Sequence, residues 1–175
     1  MNATDLRHLR RCLELAQVAR ARGDEPFGSL IVGGDGTVLA ERENAVHTTG
    51  DVTAHPELML AAWASRTLTP EERAAATMYT SCEHCAMCAA AHHWAGIGRM
   101  VFALSGAELV EMAPAGIPVL ELSARELLAR GSIPVEVVGP SPELAVEARA
   151  VFDGMWPTDR GPRQVRLSEG RWQLP

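Results

Sequence analysis

Two short groups of residues constrain this chain more than any other feature. They are His55-Pro56-Glu57 and, some thirty positions on, Cys85-Ala86-Met87-Cys88. Each falls at a predicted helix start, where unpaired N–H groups and the helix dipole favour thiolates. Cysteines at i and i+3 share one helix face and can hold one ion. A fold in which these residues cooperate must bring two helix N-termini together. Two thiolates and an imidazole make three protein ligands. Structural zinc sites close with four, whereas sites with three keep a position open for water, whose pKa zinc lowers toward about 7. Hydrolysis there also needs a group to move protons. Glu57, two residues from His55, is placed for that, and such help is worth about 10²–10⁴ in rate.

Other readings of the same residues stay open. Cys82 extends the pair to C-x₂-C-x₂-C, a pattern also seen in iron–sulfur or closed zinc sites, but only the distant Cys12 is left as a fourth thiol. Cys82 and Cys12 read instead as small buried residues. A redox C-x-x-C pair would have no need of His55 and Glu57. Three cysteines within seven positions, with no secretory segment in view, point to metal or redox chemistry rather than a disulfide framework.

The periodicity predicts an α/β fold. Residues 4–22 read as an amphipathic helix capped by Thr4 and ended by Gly23. Residues 27–42 read as a hairpin around Gly33-Gly34-Asp35-Gly36. A polar loop over 43–53 leads to a helix over 53–65, with Pro56 in its first turn. Thr69-Pro70-Glu71-Glu72 has the form of a capping box. Strands are expected at 76–81, 99–104 and 133–139. Helices are expected at 85–96, from Ser123 to Gly131, and over 142–156. The crossover helices after the third and fourth strands predict a parallel portion beside the initial hairpin. The whole is a sheet of about five strands covered by helices, one domain over 1–156 followed by a tail over 157–175.

Composition narrows the partners. The 175 residues are 47% hydrophobic and 22% charged, ordinary for one folded domain. No apolar run approaches the roughly 20 residues that cross a bilayer. The N-terminus lacks a continuous apolar stretch, so the cytoplasm is the expected location. Net charge is −6 and all 16 basic residues are arginine. This excludes lysine Schiff-base chemistry and a phosphate-loop lysine. The arginines of the first helix (Arg7, Arg10, Arg11, Arg20, Arg22) read as a solvated face, so nucleic acid is not the expected partner.

The wording of the motifs resembles the cytidine and deoxycytidylate deaminase superfamily, whose H-x-E…P-C-x-x-C signature is well described. The similarity runs from about Pro26 to Leu104. It includes Pro26-Phe27-Gly28, Asn44, the run from Asp51 to His55, and the run from Tyr79 to Cys88. It is similar in wording to bacterial guanine deaminases, with cytosine deaminases and tRNA adenosine deaminases as neighbours. The resemblance implies a three-layer α/β/α sandwich and a homodimer. It also implies zinc on His55, Cys85 and Cys88, with Glu57 as proton shuttle. The implied reaction is hydrolytic deamination of a small aminated heterocycle such as guanine. Cytosine, another pyrimidine, a triazine or a pterin, or a tRNA adenosine, are alternatives, and a zinc-stabilised binding module is the non-catalytic one.

The resemblance also makes Asn44 a base-binding residue, where a turn role is the plainer reading. Phe27 is either core or a wall of the base pocket. Phe152 and Trp156 end the last expected helix, and one of them could close the site. Guanine presents two adjacent donors that a carboxylate accepts well. Glu108 and Glu111 are the candidates, although Glu108 also completes a capping box with Ser105. Trp63 and Trp94 read as core, and His92 and His93 as helix positions. Two residues depart from the family wording, Pro56 for Ala and His84 for Pro. Pro56 suits a helix start. His84 reads as a loop residue first and a substrate contact second.

Overall fold

A computed structural model describes residues 1–114, 120–156, 166–168 and 171–173. Its elements run α1 (Ala3–Arg22), β1 (Gly28–Val32), β2 (Val38–Glu43), α2 (Val46–Thr49), α3 (Pro56–Thr67), α4 (Pro70–Ala75), β3 (Thr77–Cys82) and α5 (Ala86–Ala95). They continue with β4 (Arg99–Leu104), α6 (Gly106–Met112), α7 (Ala124–Leu128), β5 (Glu136–Val138), α8 (Ala145–Phe152), and a separate antiparallel pair, β6 (Arg166–Ser168) and β7 (Arg171–Gln173). Part of the expected tail, 157–165, 169–170 and 174–175, lies outside the described residues.

The main sheet has five strands in the order β2-β1-β3-β4-β5. The pairs β1–β2 and β1–β3 are antiparallel, and β3–β4 and β4–β5 are parallel. The mixed sheet with a parallel portion beside the hairpin is therefore as expected. Strand alternation divides the core into two faces. Leu30, Val32, Tyr79, Val101 and Ala103 pack under α1 and α8 with Leu9, Leu13, Ala16 and Phe152. On the other face Ile31 and Met78 pack with Leu60, Ala61 and Ala64 of α3, and Met100 and Phe102 pack with Ala89 of α5 and Leu128 of α7. The result is three layers, helices on both sides of one sheet.

Several local expectations need correction. Asn2, not Thr4, caps α1: its side chain accepts from Asp5 N and Asp5 reciprocates, so Thr4 sits inside the first turn. The loop over 43–53 contains α2, held where Asp24 accepts both the N–H and the hydroxyl of Thr48. The last helix is broken into a 3₁₀ turn, Pro142–Leu144, and α8, which stops at Phe152. The chain turns extended at Asp153 and Gly154 takes φ +64°, so Trp156 lies beyond the helix. Strand β5 is shorter than expected, since Pro134 cannot donate to a ladder. Trp94 is not core: it is 80% exposed, with the His93 ring edge-on at 5.5 Å.

Candidate metal centre

Helices α3 and α5 start side by side on one face of the sheet. His55 is the N-cap of α3 and Cys85 the N-cap of α5, both with extended backbone. Pro56 occupies the first helical position, where its missing N–H leaves no bond unmade. Cys88 follows one turn into α5 and Glu57 one residue into α3. The two helices pack along their lengths. This joint N-terminal geometry brings the motif halves together.

His55 Nδ1 lies 3.8 Å from Cys85 Sγ and 3.6 Å from Cys88 Sγ. The ligand atoms of all three residues fall within 4.8 Å of one another. Neighbouring sulfur and nitrogen ligands of a tetrahedral zinc lie roughly 3.6 Å apart, given bond lengths of about 2.3 and 2.0 Å. The donor set and its spacing therefore fit zinc, with soft thiolates that select against hard cations. When bound there, zinc supplies the Lewis acidity that activates water at neutral pH. Cys85 is exposed and Cys88 buried, so the site has one open and one closed side.

The protonation pattern follows from crowding. The hydrogen bond from Cys88 lowers Cys85 to about 4, against the upward push of burial, with His55 assisting. Cys88 moves the opposite way, raised by its bond to the Cys85 thiolate and then by burial. His55 is raised by its bond to Cys85. Metal uptake displaces these protons, since thiolate and neutral imidazole are the ligating forms.

Glu57 is buried. Its Oε2 accepts from Cys88 Sγ at 3.6 Å, and its Oε1 accepts from the Thr80 hydroxyl at 3.0 Å. Burial raises its carboxyl above the ordinary range, only partly offset by His55. A carboxyl raised in this way holds a proton more readily than a free one.

The other expected residues divide. Asn44 is fully buried. Its Oδ1 accepts from Val46 N at 3.0 Å and its Nδ2 has no partner among the described residues. Ala45 N donates to Ala54 O at 3.1 Å, tying this turn to the residue before His55. Phe27 is partly buried, stacked 5.4 Å from Phe152, and its carbonyl accepts from Asn44 N at 2.9 Å. Glu108 caps α6: Oε2 accepts from Ser105 N at 3.0 Å and Ser105 Oγ at 2.7 Å, while Oε1 faces Arg149 at 3.8 Å. Glu111 lines a surface groove of about 440 Å³ with Met112, Arg149, Phe152 and Asp153, a groove that includes none of the metal-site residues. Trp156 is partly exposed. His84 is buried 5.3 Å from the His92 ring, not in the ligand cluster, and both its ring nitrogens lack partners among the described residues.

Sequence reasoning missed three polar residues. Thr80 donates to Glu57 from the sheet and Ser29 donates to Thr80; Thr80 stood unassigned inside the quoted run from Tyr79 to Cys88, and the signal of Ser29 was polarity inside an otherwise apolar strand. Glu83 accepts from Gly106 N and Ala124 N, both at 3.0 Å, and so fastens the starts of α6 and α7 to the turn that leads into Cys85.

Residues 2–104 match the cytidine and deoxycytidylate deaminase zinc-binding region. The chain belongs to that family. As such a deaminase, it is a zinc-dependent hydrolase of C–N bonds. It is 36% identical to a probable cytosine deaminase of Schizosaccharomyces pombe, over 88% of this chain and 96% of that one. It is 40% identical to a guanine deaminase of Bacillus subtilis over 91 residues, 52% of this chain and 56% of the other. Among solved structures, a tRNA:A34 deaminase superposes on this deaminase with a TM-score of 0.65 at 26% identity, over 83% of this chain and 99% of that one.

Proposed function

We propose that the protein hydrolyses the exocyclic amine of a free nucleobase, with His55, Cys85 and Cys88 as zinc ligands and Glu57 as the acid–base group. Water adds to the amine-bearing carbon, Glu57 moves one of the water's protons to the ring nitrogen and the second, from the added hydroxyl, to the departing nitrogen, and ammonia leaves as the carbonyl forms. The observation that carries this reading is the buried Glu57 carboxyl, 3.6 Å from a ligand sulfur and raised by burial. A purely structural zinc site has no use for it.

Cytosine is the first substrate to try, and guanine the second. The guanine reading asked for a free carboxylate at the pocket rim, and Glu108 is taken up by Ser105 and Arg149. Glu111 is the remaining candidate, and it lines a groove that includes none of the metal-site residues. In favour of cytosine stands similarity over nearly the full length of a probable cytosine deaminase. The free Nδ2 of Asn44 supplies a donor for a ring carbonyl. Phe27 forms a wall of the pocket and Trp156 closes it in this reading. A free base fits the net charge of −6 better than tRNA does.

An ammonia-release screen over cytosine, isocytosine, guanine, pterins and triazines tests the proposal. Turnover of cytosine or guanine supports it. Inosine formation in tRNA, with submicromolar and salt-sensitive binding, overturns it in favour of the tRNA reading.

The protein is proposed to act as a homodimer in the cytoplasm, as one domain over 1–156 with an appended tail. The exposed Met87 and Trp94, one helix face of α5, support self-association, which light scattering checks. Four free cysteines, two of them zinc thiols, suit a reducing compartment.

A further inference from the structure

Behind Glu57 lies a chain of buried hydroxyls. Ser29 of β1 and Thr80 of β3 are direct cross-strand partners. Ser29 Oγ donates to Thr80 Oγ1 at 2.9 Å, and Thr80 Oγ1 donates to Glu57 Oε1 at 3.0 Å. All three residues are buried. Alternation turns Ser29 and Thr80 to the face that carries α3, alongside Ile31 and Met78. Each hydroxyl has one proton to donate, and both are committed in the same direction.

Two consequences follow for the carboxyl. Its Oε1 is fixed as an acceptor, so the carboxyl cannot rotate about its last torsion without breaking a buried bond. Its Oε2 is the oxygen left to face Cys88 Sγ and the metal centre. A side chain like Glu, with a broad terminal torsion, otherwise has no preferred orientation. General acid–base catalysis requires the reacting oxygen within hydrogen-bond reach of the proton it moves.

We propose that Thr80 is a positioning residue that orients Glu57 for proton transfer, and that Ser29 orients Thr80 in turn. The proposal rests on the acid–base role of Glu57 given above. It assigns Thr80 no contact with substrate or metal. Losing its hydroxyl lowers kcat and leaves KM and zinc occupancy in place. Valine is close to threonine in shape and lacks the donor; serine keeps the donor and lacks only the methyl group.

The test compares Thr80→Val, Thr80→Ser, Ser29→Ala and Glu57→Gln. Ammonia release is measured with cytosine, or with guanine where guanine is turned over faster, and metal by elemental analysis. Thr80→Val is expected to lose about tenfold in kcat, with KM within about twofold and wild-type zinc. Thr80→Ser stays near wild type. Ser29→Ala loses about threefold, a milder variant that reports even if Thr80→Val folds poorly. Wild-type kcat in Thr80→Val beside an inactive Glu57→Gln overturns the proposal and leaves the Glu57 role standing. Equal losses in Thr80→Ser and Thr80→Val, or loss of zinc in Thr80→Val, also overturn it. A fully active Glu57→Gln removes the underlying reading instead.

Discussion

Glu57 Oε2 sits 3.6 Å from Cys88 Sγ, across a separation of 31 residues in the chain. The contact places a buried carboxyl against the ligand that closes the inner side of the metal centre. Glu57→Gln keeps the shape of the side chain and removes the ability to move a proton. We expect that variant to retain about one zinc per chain while turnover falls by about 10²-fold or more. Cys88→Ala, by contrast, loses metal and activity together. Elemental analysis beside a steady-state assay separates the two outcomes.

Gly28 allows α1 to lie directly on the sheet. A Cβ at that position would stand 2.5 Å from the Cys12 carbonyl oxygen and 2.5 Å from Leu15 Cβ. Backbone cannot move aside as the end of a side chain can. Gly28→Ala is therefore expected to destabilise by about 2 kcal/mol or more, read as a lower urea midpoint with an unchanged slope.

Acid stability depends on Asp5 and Asp24. Burial pushes Asp5 up, but bonds from Arg99, Asn2 N and Tyr79 outweigh it and hold the carboxyl at about 2. Asp24 is held at about 2 in the same way, burial being outweighed by Thr48 and Arg22. Both folded values lie below the unfolded one, so their contribution is complete above about pH 4 and fades as pH falls toward 2. Each amounts to about 2 kcal/mol. Arg99→Met should lower stability at neutral pH and flatten its fall between pH 4 and pH 2, because the Asp5 carboxyl then loses its largest opposing bond and moves back up, with Asn2 N and Tyr79 still bonded to it. Chemical denaturation at stepped pH values measures this.

His92 acts in a higher window. Burial lowers its imidazole to about 4, although its bond to the Ile97 carbonyl works the other way. The unfolded chain takes up a proton near 6.5 that the folded chain refuses until about 4. Stability is thus complete above about pH 6.5 and falls as pH drops to 4, by about 3 kcal/mol for this one group. His84, also lowered by burial, adds to the same slope. His92→Gln should flatten the pH dependence between 4 and 6.5. An unchanged slope would show that other groups set it.

Glu108 and Glu111 separate cap from contact. Glu108→Gln should cost about 1 kcal/mol through the cap of α6 and leave KM alone. Glu111→Gln should leave stability alone and raise KM only for guanine. A steep rise in the KM for guanine with Glu108→Gln would return that residue to the substrate site.

Much of this molecule was legible before any coordinates. Residue spacing alone marked His55, Glu57, Cys85 and Cys88, because metal chemistry requires particular donors and a helix places i and i+3 on one side. The five strands, their mixed direction and the capping boxes at Thr69, Ser105 and Ser123 follow from local periodicity and backbone hydrogen-bonding needs. These are short-range properties, and a single chain carries them in plain order.

What only the tertiary structure decided depends on register and packing. Trp94 has the composition of a core residue, but α5 turns it outward to 80% exposure, because Ala89 and Cys88 take the inner face. The loop before His55 gained α2 through a bond that Thr48 N donates to Asp24, a residue 24 positions away. Glu108 became a cap because Ser105 lies within reach of its carboxylate. Ser29 stood in no motif, and Thr80 stood inside the run from Tyr79 to Cys88 with no role of its own. Their meaning arises because β1 and β3 pair in one register, and a slip of one residue in either strand would turn that strand's hydroxyl away from its partner. Donor types and helix phases are written locally in the sequence. Which buried polar group meets which is settled only when the strands pair and the helices close over them.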